Sequence, residues 1–297
     1  MGRKIIIGIA ALFIAINALI VMVVVLRSSA LPPPPALPNP NGYDDFVAGA
    51  GKVNGNLPDY AKMDHDHLAT LVSNNADALT LMTAGLSKEC RVPVDYSTNY
   101  AGATLLGQIS SFKDGVRVFV AAGRFAELEG RTNDALKIYL DGVRYSQEIS
   151  RGGLLISRLV SIACEAVVLK QLEPFAGNLD ATNAAFLAKS LESIDSRAEP
   201  VAETIRQEKL WSQQIGGLQG RIGMLFMAKS IKKVNDNVIS KSDAVTLHRR
   251  QIILEAAARA YELDKGQPPQ TAADLIPAYL KAIPKDPVTG QELRVSR

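Results

Sequence analysis

The densest cluster of side chains that could perform chemistry is Asp64-His65-Asp66-His67. Carboxylates and imidazoles are common ligands of zinc. Four consecutive residues at a helix start cannot all face one ion, because neighbouring side chains on a helix point about 100° apart. The sequence therefore favours a helix N-cap, with Asp64 or Asp66 accepting backbone N–H bonds, over a metal site. No metal ligand and no cofactor is predicted.

His248 is the remaining histidine, and it lies in Leu247-His248-Arg249-Arg250, where we expect a solvated basic turn. The chain has no Gly-x-Ser-x-Gly, His-Glu-x-x-His, P-loop or Gly-x-Gly-x-x-Gly motif. No catalytic residue is predicted. The sequence favours a non-enzymatic role, and an envelope hydrolase without a recognisable motif is the alternative.

A charged helical stretch precedes Trp211, the sole tryptophan, and contains Glu199, Glu203, Arg206, Gln207, Glu208 and Lys209. Paired carboxylates can perform acid/base work when they are buried close together. Glu203 can instead pair with Arg206 or Gln207 at i+3 and i+4. We therefore expect a solvated face, with Trp211 either in the core or an exposed anchor.

A basic region follows and comprises Lys229, Lys232, Lys233, Lys241, Arg249 and Arg250. Asp236 and Asp243 lie among them, so ordinary helix surface is the first interpretation, and contact with anionic lipid headgroups is the second. The chain carries 33 basic and 30 acidic residues, a net charge of +3. That balance is too even to indicate a nucleic-acid partner, and none is predicted.

The elements that position these groups begin with an uncharged apolar run, residues 5–26. As a helix it would span about 33 Å, against roughly 30 Å of hydrocarbon, so it predicts a transmembrane helix inserted in the lipid bilayer. Arg3 and Lys4 place residues 1–4 in the cytoplasm and the main domain outside it, as a single-pass protein of the cytoplasmic membrane. A cleaved signal peptide is the alternative, because Ser28-Ser29-Ala30 offers small residues for cleavage.

Residues 27–43 form a Pro-rich linker, whose stretch 31–40 would reach about 31 Å as polyproline II. Such a spacer implies a target held at some distance from the bilayer. Asn39-Pro40-Asn41-Gly42 is turn chemistry, and we place the start of a helical domain at residue 44. That domain is expected to run to residue 264, followed by a short irregular, Pro/Gly-rich segment, 265–297.

Apolar residues at helical spacing predict an all-α helical bundle of hairpin-repeat-like type. The expected helices lie near 66–86, 102–129, 133–150, 154–173, 181–197, 199–217, 221–236 and 243–264. The helix at 154–173 is apolar nearly all round, which is typical of a buried core helix. Its polar residues, including Arg158 and Glu165, share one narrow stripe. Cys90 and Cys164 could form a disulfide, or Cys164 could be a small buried hydrophobe.

Residues 119–147 resemble one tetratricopeptide-type helical hairpin. The residues that carry the likeness are Phe119, Gly123, Gly130, Ala135, Tyr139 and Gly142. In this interpretation Gly123 and Ala135 let two antiparallel helices approach, while Phe119 and Tyr139 fill the gap. Ala126 and Gln147 stand where that repeat has tyrosine and proline, and no second copy is found.

Residues 261–290 resemble a stretch of type II secretion pseudopilins. The likeness is carried by Tyr261, Leu263, Gly266, Pro269, Leu275, Tyr279, Leu280, Pro284, Asp286, Pro287 and Gly290. It implies that a helix ends at Gly266 and that Leu275 and Leu280 tuck back. A pseudopilin also has a glutamate early in its apolar helix, whereas residues 1–43 contain no acidic residue.

The whole layout is similar to a group of uncharacterised single-span bacterial membrane proteins with a Pro-rich juxtamembrane linker. The expected function is a membrane-anchored helical domain that interacts with other envelope proteins or serves as an envelope scaffold. An accessory component of a secretion or pseudopilus-like assembly is a further alternative.

Overall fold

A computed structural model describes residues 35–54, 63–96, 102–217 and 226–295, together with positions 13, 15–19, 22, 33 and 223. The predicted span 5–26 lies outside the described residues except at positions 13, 15–19 and 22, which are helical. In this described part of the chain, no helix is both long and apolar enough to cross a membrane.

The described chain is all-helical, which confirms the predicted all-α class. The α-helices are α1 (Gly42–Gly51), α2 (His65–Asn74), α3 (Ala76–Gly85), α4 (Gly102–Leu128), α5 (Thr132–Glu148), α6 (Leu155–Ala176), α7 (Ala181–Arg197), α8 (Val201–Ile215) and α9 (Ala228–Lys265). A short 3₁₀ helix, η1, covers Ala272–Leu275.

The first half of the core is built where α1, α3, α4 and α5 meet. Phe46 of α1 and Tyr145 of α5 are fully buried, and their ring centroids lie 5.2 Å apart at 84°. A Cβ on Gly85 would lie 2.6 Å from Phe46 Cε1. Glycine at this position therefore allows α1 and α3 to approach closely.

The second half of the core is formed by α6, α7 and α9. Arg158 of α6 bonds to Ser242 of α9 at 3.1 Å, and Glu165 of α6 pairs with Arg249 of α9. The second pair lies seven residues after the first along both helices, so α6 and α9 run parallel. Helix α6 is buried on most of its surface, as predicted, and Val168, Leu169 and Leu172 are fully buried.

The C-terminal segment packs back on α7 and α9. Gly266 ends α9 in the left-handed conformation at φ 71°, which favours glycine. Leu275 and Leu280 are buried, and the Tyr279 hydroxyl donates to Asp264 at 2.6 Å. The expected irregular segment thus covers the end of the bundle where α9 finishes.

Three boundaries differ from the sequence expectation. The helix predicted at 66–86 is two helices that break at Asn75, whose side chain accepts the Asn54 amide at 2.8 Å and donates to Leu71 O at 2.9 Å. The helices predicted at 221–236 and 243–264 are joined in α9, because no glycine or proline interrupts the segment between them. The domain begins at Gly42, inside the predicted linker.

Candidate functional site: two clefts at the linker end

The linker is fastened to the domain through one asparagine. Asn41 Nδ2 donates to Arg91 O at 2.8 Å, while Asn41 Oδ1 accepts from Arg91 N at 3.0 Å and from Tyr43 N at 3.2 Å. Gly42 N donates to Glu89 O at 2.9 Å. Asn41 is buried, so water does not replace these bonds, and the same residue caps α1. The chain therefore leaves the domain at a fixed point.

A groove of about 390 Å³ adjoins this attachment, and linker residues Pro35 and Leu37 form one side of it. The other side is the extended segment 91–96 with Gly152 and Gln207. Gln207 bonds to the Tyr96 hydroxyl, and Trp211 Nε1 donates to Asp95 O at 2.7 Å. Trp211 is thus a half-buried residue that helps to hold the extended segment on α8.

A larger cleft of about 490 Å³ lies beside the groove, and we call it the basic cleft. Its charged lining residues are Lys88, Arg144, Arg151 and Arg197 against Glu89 and Glu148, and Leu86, Cys90, Gln147 and Ile194 complete the lining. Four basic and two acidic side chains line the cleft, but Lys88 is paired with Asp45 and Arg144 with Asp141. Among the described residues, Arg197 is therefore the lining cation without a carboxylate partner. Arg197, at the end of α7, is exposed, and its Nε donates to Ser193 O at 3.2 Å.

The other arginines of the basic cleft are held by hydrogen bonds. Arg144 donates to Leu86 O at 2.6 Å and pairs with Asp141 at 3.3 Å. Arg151 makes two bonds to Glu148, at 2.6 and 2.7 Å, and these bonds raise the pKa of its guanidinium. The walls of the basic cleft are therefore preorganised, which lowers the entropic cost of ligand binding.

Cys90 lines the basic cleft but is not a poised nucleophile. Burial raises the pKa of its thiol to about 12. Cys164 lies elsewhere, with Sγ 4.0 Å from Phe112 O, and burial raises its thiol pKa to about 12 as well. The two cysteines are free, so the disulfide considered from the sequence is absent here. Each fills a separate buried position, and for Cys164 this is the alternative considered from the sequence.

Two glutamates that the sequence placed on a solvated face accept backbone amides at the start of α6. Glu199 accepts the Gly152 amide at 3.0 and 3.2 Å, and Glu208 accepts the Leu155 amide at 2.9 Å. Burial raises the pKa of both carboxyls. The expectation of a solvated face is therefore wrong for Glu199 and Glu208. Glu203 does pair with Arg206, at 2.7 Å, as predicted. A carboxylate at a helix N-terminus also complements the helix dipole.

A buried ion network connects α6, α7 and α9. Arg249 pairs with Glu165 and, at 2.5 Å, with Asp195, and Arg250 pairs with Asp195 at 2.9 Å. Gln147 of α5 bonds to Glu165 at 3.2 Å. The expectation that Arg249 belongs to exposed helix surface is wrong, since its side chain is only 3% exposed. A buried charge needs a partner, and four elements supply this network.

Asp64 and His248, the remaining candidates from the sequence, make hydrogen bonds within the fold. Asp64 caps α2 by accepting the His67 amide at 2.9 Å, which confirms the capping interpretation. Among the described residues, no group of three or more His, Cys, Asp or Glu could hold a metal ion. The expectation of a solvated turn at His248 is wrong, because His248 lies within α9 and bonds to Glu173 at 3.0 Å.

The predicted helical hairpin is formed by α4 and α5, and it brings Phe119, Gly123, Ala135 and Tyr139 together. A Cβ on Gly123 would lie 2.5 Å from Tyr139 Cε1, so glycine is needed for the close approach. Phe119, Ala135 and Tyr139 are fully buried. These four residues are core, whereas Trp211 lies apart from them beside the linker.

Sequence reasoning missed the residues that shape the linker end. Asn41 stood in a recognised turn, but its partner Arg91 lies 50 residues away, and no local pattern signals that pairing. Arg144, Arg151 and Arg197 come from two helices and a turn, so their convergence depends on packing alone.

No protein-family model matches the chain, and neither a curated protein nor a solved structure matches it. The resemblances noted in the sequence therefore stay predictions.

Proposed function

We propose that this chain is a single-span membrane protein whose helical domain lies outside the cytoplasm and binds another envelope protein through the basic cleft. The observation that carries the proposal is the position of that cleft beside the linker attachment. Arg151 and Gly152 are consecutive residues, and they line the basic cleft and the linker groove respectively.

The tether supports this proposal through its length. Because Pro35 and Leu37 already line the groove, the stretch between span and domain is residues 27–34. Eight residues reach about 25 Å as polyproline II. This is less than the spacer length read from the sequence, so the partner segment would be bound near the bilayer and not far from it.

The chemistry of the basic cleft supports an acidic partner segment. The other basic side chains of its lining are paired with carboxylates, whereas exposed Arg197 presents a guanidinium that can take a carboxylate in two parallel hydrogen bonds. Glu148 and Arg151, which line the cleft, are already bonded to each other. Such groups position the walls of a binding site.

Site-specific photocrosslinking in cells tests the partner. A photoreactive residue in place of Glu89, exposed at the rim of the basic cleft, should yield a discrete adduct with an envelope protein. The same residue in place of exposed Thr182, at the start of α7, is the matched control. Arg197→Glu should abolish the Glu89 adduct, and Arg197→Lys should retain part of it. An adduct that persists unchanged in Arg197→Glu would refute the assignment of the cleft.

Topology is tested separately with fusions at the C-terminus. A reporter that is active only outside the cytoplasm should be active, and a reporter that works only in the cytoplasm should be silent. The opposite pattern would refute the proposed orientation whatever the crosslinking result.

A further inference from the structure

The first quarter of α9 extends beyond the start of α6. Ser242 of α9 lies opposite Arg158 of α6, and α6 begins three residues earlier, at Leu155. The part of α9 that precedes residue 239 therefore has no α6 beside it. Residues 228–237, which we call the α9 extension, contain no buried residue, whereas Val238 is 1% exposed. Ten helical residues give the extension a length of about 15 Å.

The α9 extension and the linker lie at the same end of the bundle. The linker residues Pro35 and Leu37 share their groove with Gly152, which stands just before α6. The extension passes the same end of α6. A tether of residues 27–34 would span at most about 25 Å as polyproline II. Under the proposed function, this end of the domain can therefore approach the bilayer closely enough for the extension to touch it.

The composition of the α9 extension matches an anionic membrane surface. Lys229, Lys232 and Lys233 are exposed, and one acidic residue, Asp236, pairs with Lys232 at 2.7 Å. Immediately before the extension, Phe226 is 86% and Met227 59% exposed. Exposed apolar side chains beside lysines are typical of helices that lie in the headgroup region of a bilayer.

We propose that the α9 extension binds the anionic phospholipid headgroups of the membrane in which the chain is anchored, with Phe226 and Met227 entering the interface. This inference rests on the membrane tether of the proposed function, but not on the partner bound in the basic cleft. Contact through the extension fixes the orientation of the domain, so that the basic cleft is presented beside the bilayer.

Headgroup quenching in nanodiscs tests the contact with the full chain. A fluorophore on Ser230→Cys reports the extension, and a fluorophore on Thr182→Cys is the control on α7. The native thiols are buried with raised pKa values near 12, so mild labelling spares them. Lipids with a quencher in the headgroup should quench the probe at position 230 in phosphatidylglycerol discs and leave the probe at 182 bright. Equal quenching at both positions would overturn the proposal.

Charge reversal tests the chemistry of recognition. Each basic residue near an anionic surface raises the association constant of the extension for that surface about 5-fold. Lys229→Glu/Lys233→Glu should therefore lower this constant at least about 25-fold. Lys170→Glu/Lys189→Glu, exposed on α6 and α7, is the control and should change nothing. Quenching that is the same in purely phosphatidylcholine discs, or that survives the first double variant, would overturn the assignment to anionic lipid.

The transmembrane anchor and the headgroup contact of the α9 extension can be tested separately. A chain that does not co-elute with nanodiscs would refute the transmembrane anchor. Sedimentation with phosphatidylglycerol vesicles would then decide the extension alone: binding that requires Lys229 and Lys233 supports it, and no binding overturns it.

Discussion

Helix α9 carries basic residues along its whole length, and some of them lie in opposite environments. In the packed part, Arg249 is buried between Glu165 and Asp195. In the α9 extension, Lys229 and Lys233 are exposed to solvent. The difference teaches that the role of a basic residue depends on which helices surround it. Inside the bundle it fixes helix register, and beyond the bundle it is available to a ligand.

The largest effect should come from removing the buried charge. Arg249→Met leaves Glu165 and Asp195 without their shared partner, so we expect a loss of about 3–5 kcal/mol in the free energy of unfolding. Lys232→Met, in the α9 extension, is the matched control and should leave stability unchanged. Equilibrium urea unfolding of the full chain in detergent, followed by circular dichroism, measures both. Equal losses would break the contrast between the two parts of α9.

The attachment of the linker marks where the packed bundle ends. Asn41→Ala removes the α1 cap and leaves the Arg91 amide and carbonyl without their partner, so a loss of about 1–3 kcal/mol is expected. Asn39→Ala, two residues earlier and exposed, should cost nothing measurable. Urea unfolding compares them, and hydrogen exchange at residues 89–92 should rise only in Asn41→Ala. Unchanged exchange there would contradict a fixed exit point.

Helix α4 offers a second test of packed against open positions. Gly123→Ala forces a methyl group against the buried Tyr139 ring, whereas nothing lies within 4 Å of a Cβ at Gly107. Overpacking costs about 1–3 kcal/mol, and the gain in helix propensity offsets about 1 of it. Gly123→Ala should therefore be destabilising and Gly107→Ala stabilising by about 0.5–1 kcal/mol. Thermal unfolding that moves both variants in the same direction would refute the distinction.

The smallest effect should appear in the pH dependence of stability. Because burial raises the pKa of Glu208 in the folded state, the folded chain holds this proton more tightly than the unfolded chain. The stabilisation from this group is present below its ordinary pKa and is lost as pH rises through the raised value. Glu208→Gln keeps an oxygen for the Leu155 amide and should flatten that fall. Urea unfolding across the pH range measures both chains, and a Glu208→Gln curve identical to the parent's would contradict the prediction.

Much of the fold could be predicted, because helix-forming information is local. The periodicity of apolar residues located most helices to within a few residues, and Gly266 marked the end of α9. The break at Asn75 could not be predicted, since it depends on bonds to Asn54, 21 residues away. The site was predicted less well. The hairpin residues Gly123 and Tyr139 were recognised as packing partners, but neither cleft was.

The sequence by itself determined that the described part of the chain is all-helical, that α6 is buried and that Asp64 caps a helix, because each property depends on residues within a few turns of one another. The tertiary structure alone decided which charges are buried and which are exposed. Arg249 and Lys233 are both basic residues of one helix, and only the arrival of α6 and α7 beside Arg249 separates them. Burial without a partner is costly, so the distant carboxylates determine where each charge can lie.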